Sequence, residues 1–204
     1  MCYSAGSSFI ASAGLATMGV ASFRVADKKH KALAMIPIAF SIQQAFEGFQ
    51  WISLGSGGVS FLAAYGFLFF AFLFWPVYVP ITIFELDDKR KRFMRWLVGL
   101  GVAVSAILFS SLVFEPLSVT VRNSSICYDI YVPFWLAVSL VYILVTCGAF
   151  FFSSKPGLQW FGIILTLSML FSGLFFFYAF TSVWCFFSAV LSSLLYFYIR
   201  SESK

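Results

Sequence analysis

The chain has 204 residues, of which 61% are hydrophobic and 10% are charged, with a mean hydropathy of +0.95 and a formal net charge of +5. So few polar residues cannot cover a water-soluble globule, so the composition excludes a soluble domain and predicts an integral membrane protein. The basic segments are short, contain acidic residues and lack interleaved aromatic residues, so nucleic-acid binding is not expected. Their expected partner is the lipid bilayer, through its anionic headgroups.

Seven runs of the chain are long enough to cross a membrane as helices, because about 20 apolar residues span roughly 30 Å of hydrocarbon. Each run is apolar on all sides, which favours helices over the alternating strands of a barrel. The runs cover residues 5–23, 32–54, 61–84, 93–114, 131–152, 158–178 and 182–200. We therefore predict an all-α integral membrane fold, with residues 1–204 forming one seven-helix transmembrane domain.

The basic residues predict the orientation of these helices. Under the seven-span arrangement, twelve of the thirteen Lys and Arg residues fall on one side, and only Arg122 falls on the other. The positive-inside rule makes the richer side cytoplasmic. The N-terminus is then outside and the C-terminus is cytoplasmic.

The start of the chain combines a thiol with a stripe of small residues. Helix packing through close backbone contact explains the stripe better than serine chemistry does. Its members are Ala5, Ser8, Ser12, Ala16 and Gly19. Cys2 is a separate candidate, because removal of Met1 would leave an N-terminal cysteine with adjacent amine and thiol groups.

The only histidine, His30, is expected in a solvated cytoplasmic loop. Cys2 is predicted on the opposite side of the membrane, so a Cys-His or Ser-His catalytic pair is not expected.

The second run contains the polar residues whose insertion into a membrane costs the most free energy in this chain. Gln43, Glu47 and Gln50 fall on one side of a helix, with Gln44 and Trp51 flanking them. A carboxyl group inside a membrane costs about 2.5 to 3.5 kcal/mol on insertion scales, so it should face other helices or a wet cavity. Two interpretations stay open: Glu47 locks the helix bundle, or it serves as a proton relay or general base.

The third run contains Pro76 and Pro80 beside Trp75 and Tyr78. Each proline lacks an amide hydrogen and clashes with the preceding turn, so we predict a kink near the middle of the membrane. The kink would leave the carbonyl groups of Phe72 and Pro76 for a side chain, a water or a ligand, either in a cavity or in packed protein.

Three cysteines, Cys2, Cys127 and Cys185, are predicted on the outer side. Three thiols at a similar depth suit a disulfide or a soft-metal site. The chain has no C-x-x-C motif, so the spacing of the cysteines gives little support for a metal site.

Several motifs resemble a family of short bacterial multi-pass membrane proteins of uncharacterised function. They are the start M-C-Y-S-A, the Q-Q-x-x-E-G-x-x-W pattern from Gln43 to Trp51, the Trp75-Pro76 pair with Pro80, and S-V-W-C-F-F from Ser182 to Phe187. The resemblance implies a location in the bacterial inner (plasma) membrane and carries no activity with it.

The sequence thus predicts a polar pocket in the outer half of the bundle. Its proposed frame is Gln43, Gln44, Glu47, Trp51, Trp75, Tyr78, Trp184 and Cys185, capped by Cys2 and the loop around Tyr128. The leading hypothesis is binding or translocation of a small molecule or ion coupled to Glu47, with the kinked third helix moving. One alternative is a membrane thiol enzyme with Cys2 or Cys185 as nucleophile and Glu47 as base. Another is a structural or sensory protein without chemistry. The sequence leaves enzymatic activity and any cofactor undetermined.

Overall fold

The computed structural model describes residues 4–203, which are mostly helical, so the all-α prediction is confirmed. The helices are α1 (Ala5–Val25), α2 (Lys31–Gly55), α3 (Phe61–Leu68), α4 (Trp75–Leu86), α5 (Lys91–Phe114), α6 (Trp135–Phe151), α7 (Pro156–Phe175), α8 (Phe180–Ser192) and α9 (Leu195–Glu202). Each predicted run matches a helix or a consecutive pair of helices. A π-helical segment, Phe69–Phe74, joins α3 to α4.

Five helical segments of the described chain are long and apolar enough to cross a membrane. They are Ala5–Val25, Phe61–Leu86, Lys91–Phe114, Pro156–Phe175 and Phe177–Glu202. Helix α2 is long enough, with 25 residues, but it is not among these five segments because it is less apolar. Its glutamines and Glu47 lower its hydropathy, and these same residues are its buried ones.

The described residues form two compact units. The first contains residues 4–70, 118–129 and 168–203, and the second contains residues 71–117 and 130–167. The chain passes from one unit to the other four times: within the π-helical segment, between residues 117 and 118, between residues 129 and 130, and within α7.

In the first unit, α1 and α2 pack as a close antiparallel pair. An added Cβ at Gly19 would lie 2.4 Å from the Ile38 side chain and 2.9 Å from the Ile38 amide nitrogen. Nearer the start of α1, the hydroxyls of Ser12 and Ser41 each donate to the other residue's carbonyl at 2.8 Å. The small-residue stripe therefore serves helix packing, as the sequence indicated.

Helix α2 is central among the helices of the first unit. It packs against α1, α3, α8 and α9, and nearly half of its 25 residues are buried. Consequently its polar side chains lie against protein.

A two-stranded antiparallel hairpin completes the first unit, where the sequence predicted only a loop. Strand β1 (Ser118–Arg122) pairs with β2 (Ser125–Asp129), and Arg122 lies opposite Ser125. The two-residue loop between them has positive φ at Asn123 (46°) and Ser124 (56°). This is the conformation of a type I′ turn, whose twist matches that of the paired strands.

The third run is π-helical over Phe69–Phe74, just before Pro76, where the sequence predicts a kink. A π-helix bonds each carbonyl to an amide five residues on, which changes the hydrogen-bond ladder of the helix near the proline. The Ala71 carbonyl accepts a 2.5 Å hydrogen bond from the Tyr142 hydroxyl of α6. The sequence pointed instead to the Phe72 carbonyl, because the rule used there assumes an unbroken α-helix.

Helix α5 covers two more carbonyl groups close to the π-helical segment. The Ser105 hydroxyl donates to the Leu73 carbonyl at 3.1 Å. Pro80 cannot supply an amide hydrogen to the Pro76 carbonyl, and Gly101 packs directly against that oxygen. A Cβ built on Gly101 would lie 1.9 Å from it, so only glycine allows this approach.

We expect Gly101→Ala to destabilise the second unit by about 1 to 3 kcal/mol, because α5 must move away from the Pro76 carbonyl. Gly99→Ala is the matched control on the same helix, since nothing lies within 4 Å of an added Cβ there. Thermal unfolding of the purified variants in detergent measures both changes. Equal transition temperatures for the two variants would contradict the close approach at Gly101.

Asp87 joins the α4–α5 connection to the α6–α7 connection in the second unit. Its Oδ1 accepts from the amides of Lys89 and Arg90 at 3.0 Å and from the Ser154 hydroxyl at 2.8 Å. Its Oδ2 accepts from the Ser154 amide at 2.5 Å and from the Ser153 hydroxyl at 3.3 Å. Burial raises the pKa of Asp87, but the bonds from Ser154, Arg90 and Lys89 outweigh it and hold the pKa below its usual value.

This pKa shift predicts a pH-dependent stability. The folded state binds the proton more weakly than the unfolded state, so the contribution of Asp87 is complete above the ordinary aspartate pKa of about 3.9 and is lost as the pH falls below it. Asp87→Asn should lower the free energy of unfolding at neutral pH by about 2 to 3 kcal/mol and flatten its decline in acid. The exposed Asp88 provides the control, because Asp88→Asn should retain the wild-type profile of unfolding temperature against pH.

Candidate functional site

The polar residues of the first unit meet at Glu47. This residue has no exposed surface, and the hydroxyl of Ser182 on α8 donates a hydrogen bond to its Oε1. On the neighbouring side of α2, Gly48 lies against the ring of Phe9, where an added Cβ would be 2.8 to 3.0 Å from the ring atoms. The carboxyl group is therefore enclosed by packed helices.

The thiol of Cys185 lies on the same side of α8 as Ser182, one turn further along. It interacts with the side chain of Gln43 and with the carboxyl group of Glu47. Cys185 is only 5% exposed. The structure thus brings together Gln43, Glu47 and Cys185, three of the residues that the sequence predicted to share a site.

The other predicted residues of the first unit surround this group on the same two helices. Gln44 and Gln50 of α2 have no exposed surface, and Trp51 is half-buried. Trp184 of α8 is also buried and stacks on Phe180, with ring centroids 5.4 Å apart.

The hairpin packs on the beginning of α8. Cys127 is buried in a cluster with Ala179 and Val183, and Tyr128 stacks on Phe67 with ring centroids 4.9 Å apart. Burial, followed by the charge of Asp129, raises the pKa of the Cys127 thiol, so this thiol is protonated at neutral pH.

Cys127 of β2 packs on the side of α8 opposite to the one that carries Cys185. Cys127 contacts Val183, and side chains two residues apart on a helix point about 200° apart. Cys127, Cys147 and Cys185 are free thiols. Within residues 4–203 there is no cluster of three or more His, Cys, Asp or Glu side chains suited to a metal. Cys2 lies outside the described residues.

Trp75 and Tyr78 belong to the second unit. Trp75 is 4% exposed, and Tyr78 stacks on Phe74 with ring centroids 4.5 Å apart. They take part in the aromatic packing that follows the π-helical segment.

The expectation of a solvated His30 is wrong. The residue is 6% exposed, its Nδ1 lies 2.8 Å from the Asp27 carboxylate, and its ring packs on Tyr198 of α9. The sequence could not show that α9 covers this loop. Because His30 immediately precedes α2, the rise of the helix places it about 25 Å from Glu47.

Sequence reasoning missed the role of Ser182 as the hydrogen-bond donor to Glu47. The available signal was its position three residues before Cys185, which places both residues on one helix face. The choice of Ser182 over the other serines of this segment depends on the docking of α8 against α2.

These features define a class of protein: a helical chain that has, within residues 4–203, five helical segments long and apolar enough to cross a membrane and a buried polar cluster on α2. The model for the family described as "Family of unknown function (DUF6629)" matches residues 1–204, and the chain belongs to this family. The resemblance to an uncharacterised family is confirmed to that extent. The searches found no match among curated proteins or among solved structures.

The burial of the thiols predicts low reactivity. In a Cys2→Ser background, we expect Cys127, Cys147 and Cys185 to react with a water-soluble maleimide at least about 100-fold more slowly than a freely exposed thiol. Ser56→Cys supplies that reference, because Ser56 is exposed. Mass spectrometry of the labelled protein gives the rates. Labelling of Cys185 at the rate of the reference would show that reagents reach it in the folded protein.

Proposed function

We propose that the chain is a membrane protein that binds a proton at Glu47 and couples it to the binding or translocation of a small molecule or ion. The observation that carries this proposal is the complete burial of Glu47 on α2, with Ser182 donating to its carboxyl group. A charged carboxyl group inside a low-dielectric protein is energetically unfavourable. Such a group is therefore neutralised by binding a proton or a cation, and the exchange of either can be coupled to transport.

The neighbours of Glu47 support a polar ligand. Three glutamine side chains of α2 are wholly buried together with it. Amide groups both donate and accept hydrogen bonds, which suits a site for a small polar or hydrated species. Packing of helices alone requires none of them, because apolar side chains would fill the same space at lower cost.

We further propose the seven-span arrangement with the N-terminus outside, in the bacterial inner membrane. Helix α2, with 25 residues, and α6, with 17 residues, add two spans to the five apolar segments. In this arrangement the polar side chains of α2 pack against neighbouring helices, and its exposed residues, such as Ile42, Phe49 and Ile52, are apolar and suited to lipid.

One observation favours the alternative of a thiol enzyme: Cys185 interacts with Glu47, the base that such an enzyme would need. Its burial opposes that role, because a nucleophile must reach its substrate. The ligand-binding proposal requires no access of a bulky substrate to sulfur, so we favour it.

The proposal predicts proton flux through wild-type protein in proteoliposomes containing a pH-sensitive dye, after an imposed potassium diffusion potential. Glu47→Gln should reduce the protein-dependent flux by at least about tenfold, because an amide cannot exchange a proton. Glu202→Gln is the control, since Glu202 is exposed near the C-terminus.

Unchanged flux in Glu47→Gln would remove Glu47 from the mechanism. A wild-type protein that conducts no protons, with Glu47→Gln changing only the unfolding temperature, would favour the structural or sensory alternative.

A further inference from the structure

Gln50 is a buried amide for which the described protein supplies no hydrogen bond. The residue has no exposed surface, and neither its Oε1 nor its Nε2 has a hydrogen-bond partner among residues 4–203. An amide buried in this way costs several kcal/mol, and more in a membrane, where no bulk water compensates. Its partner must therefore be a species that both donates and accepts hydrogen bonds.

Two further polar atoms lie at the level of Gln50 and have no hydrogen-bond partner within the described chain. They are the hydroxyl of Ser8, whose side chain is wholly buried, and the indole Nε1 of Trp51. Phe9 packs against Gly48 in the antiparallel α1–α2 pair. Ser8, which precedes Phe9, consequently lies near the segment of α2 that contains Gln50.

Gln50 also lies between Glu47 and the end of α2. It follows Glu47 by three residues, which places it on the same helix face and about 4.5 Å further along the axis. Helix α2 ends at Gly55, and residues 56–59 are exposed. A path from the exposed loop to Glu47 along this face therefore passes Gln50.

We propose that Gln50 holds water in a proton path that runs from the C-terminal end of α2 to Glu47. This inference rests on the proposed function, because it takes Glu47 as the group that exchanges the proton. Water fits the unpaired atoms better than a bare cation does. The Gln50 Nε2 and the Trp51 Nε1 each need an acceptor, which a cation does not provide, whereas water is both donor and acceptor.

The proposed step conserves charge and atoms. The water bound at Gln50 gives a proton to the Glu47 carboxylate and takes one from the next water towards the loop. In the reverse direction, the protonated Glu47 returns its proton to the same water. No other reactant is needed.

Hydrogen–deuterium exchange at the Glu47 carboxyl tests the path. The infrared band of a protonated carboxyl is identified as that of Glu47 by its loss in Glu47→Gln, and its shift is timed after transfer of the purified protein into D2O. Gln50→Leu should slow the shift by at least about tenfold, because an apolar side chain displaces the water.

Ile52→Ala is the control on the same helix, since Ile52 is exposed and lies outside the proposed site. It should exchange at the wild-type rate. If Gln50→Leu does not fold, Gln50→Met, which is close in volume to glutamine, carries the same expectation.

The outcomes separate the two proposals. A Glu47 band that exchanges as fast in Gln50→Leu as in wild type overturns the path and leaves Glu47 as a proton site. A wild-type protein without any carboxyl band that is lost in Glu47→Gln overturns the proposed function and the path with it. A band that depends on sodium, compared with choline, assigns the space to a cation and overturns water as the occupant.

Discussion

The buried carboxyl of Glu47 is the constraint on which the first unit depends. Taking this group out of water is costly, so the helices around it supply polar partners that an ordinary membrane interior lacks. Ser182 donates to it from α8, and Gln43 and Cys185 interact between the same two helices. Phe9 of α1 packs closely on Gly48, the residue that follows Glu47. The position of α8 therefore determines the chemical environment of Glu47.

In the second unit, the protein's own residues cover the polar groups that lose their helical hydrogen bonds. Its π-helical segment and two prolines disturb the hydrogen bonding of a long apolar helix, and neighbouring helices cover the affected carbonyls. Tyr142 and Ser105 donate to two of them, and Gly101 packs on a third, that of Pro76. The contrast with Gln50 is informative, because its amide is equally buried and receives no such partner from the described chain. This difference is why a ligand is proposed in the first unit only.

Several features were predictable because they depend on local sequence. The seven apolar runs correspond to the helices, and the shared face of Gln43, Glu47 and Gln50 is buried as its spacing indicated. The hairpin was not predicted, since its turn contains Asn123 and Ser124 without glycine, the residue that most strongly signals such turns. The burial of His30 depends on Tyr198, which is distant in sequence and carries no local signal.

Composition and periodicity by themselves determined that this chain is helical and apolar, and which face of α2 is polar, because these properties follow from residue type and the 3.6-residue repeat. Only the tertiary structure decided what that face meets. The bond from Ser182 to Glu47 joins residues 135 positions apart. The rotation and docking of each helix are set by the combined packing of many side chains, which no local pattern encodes.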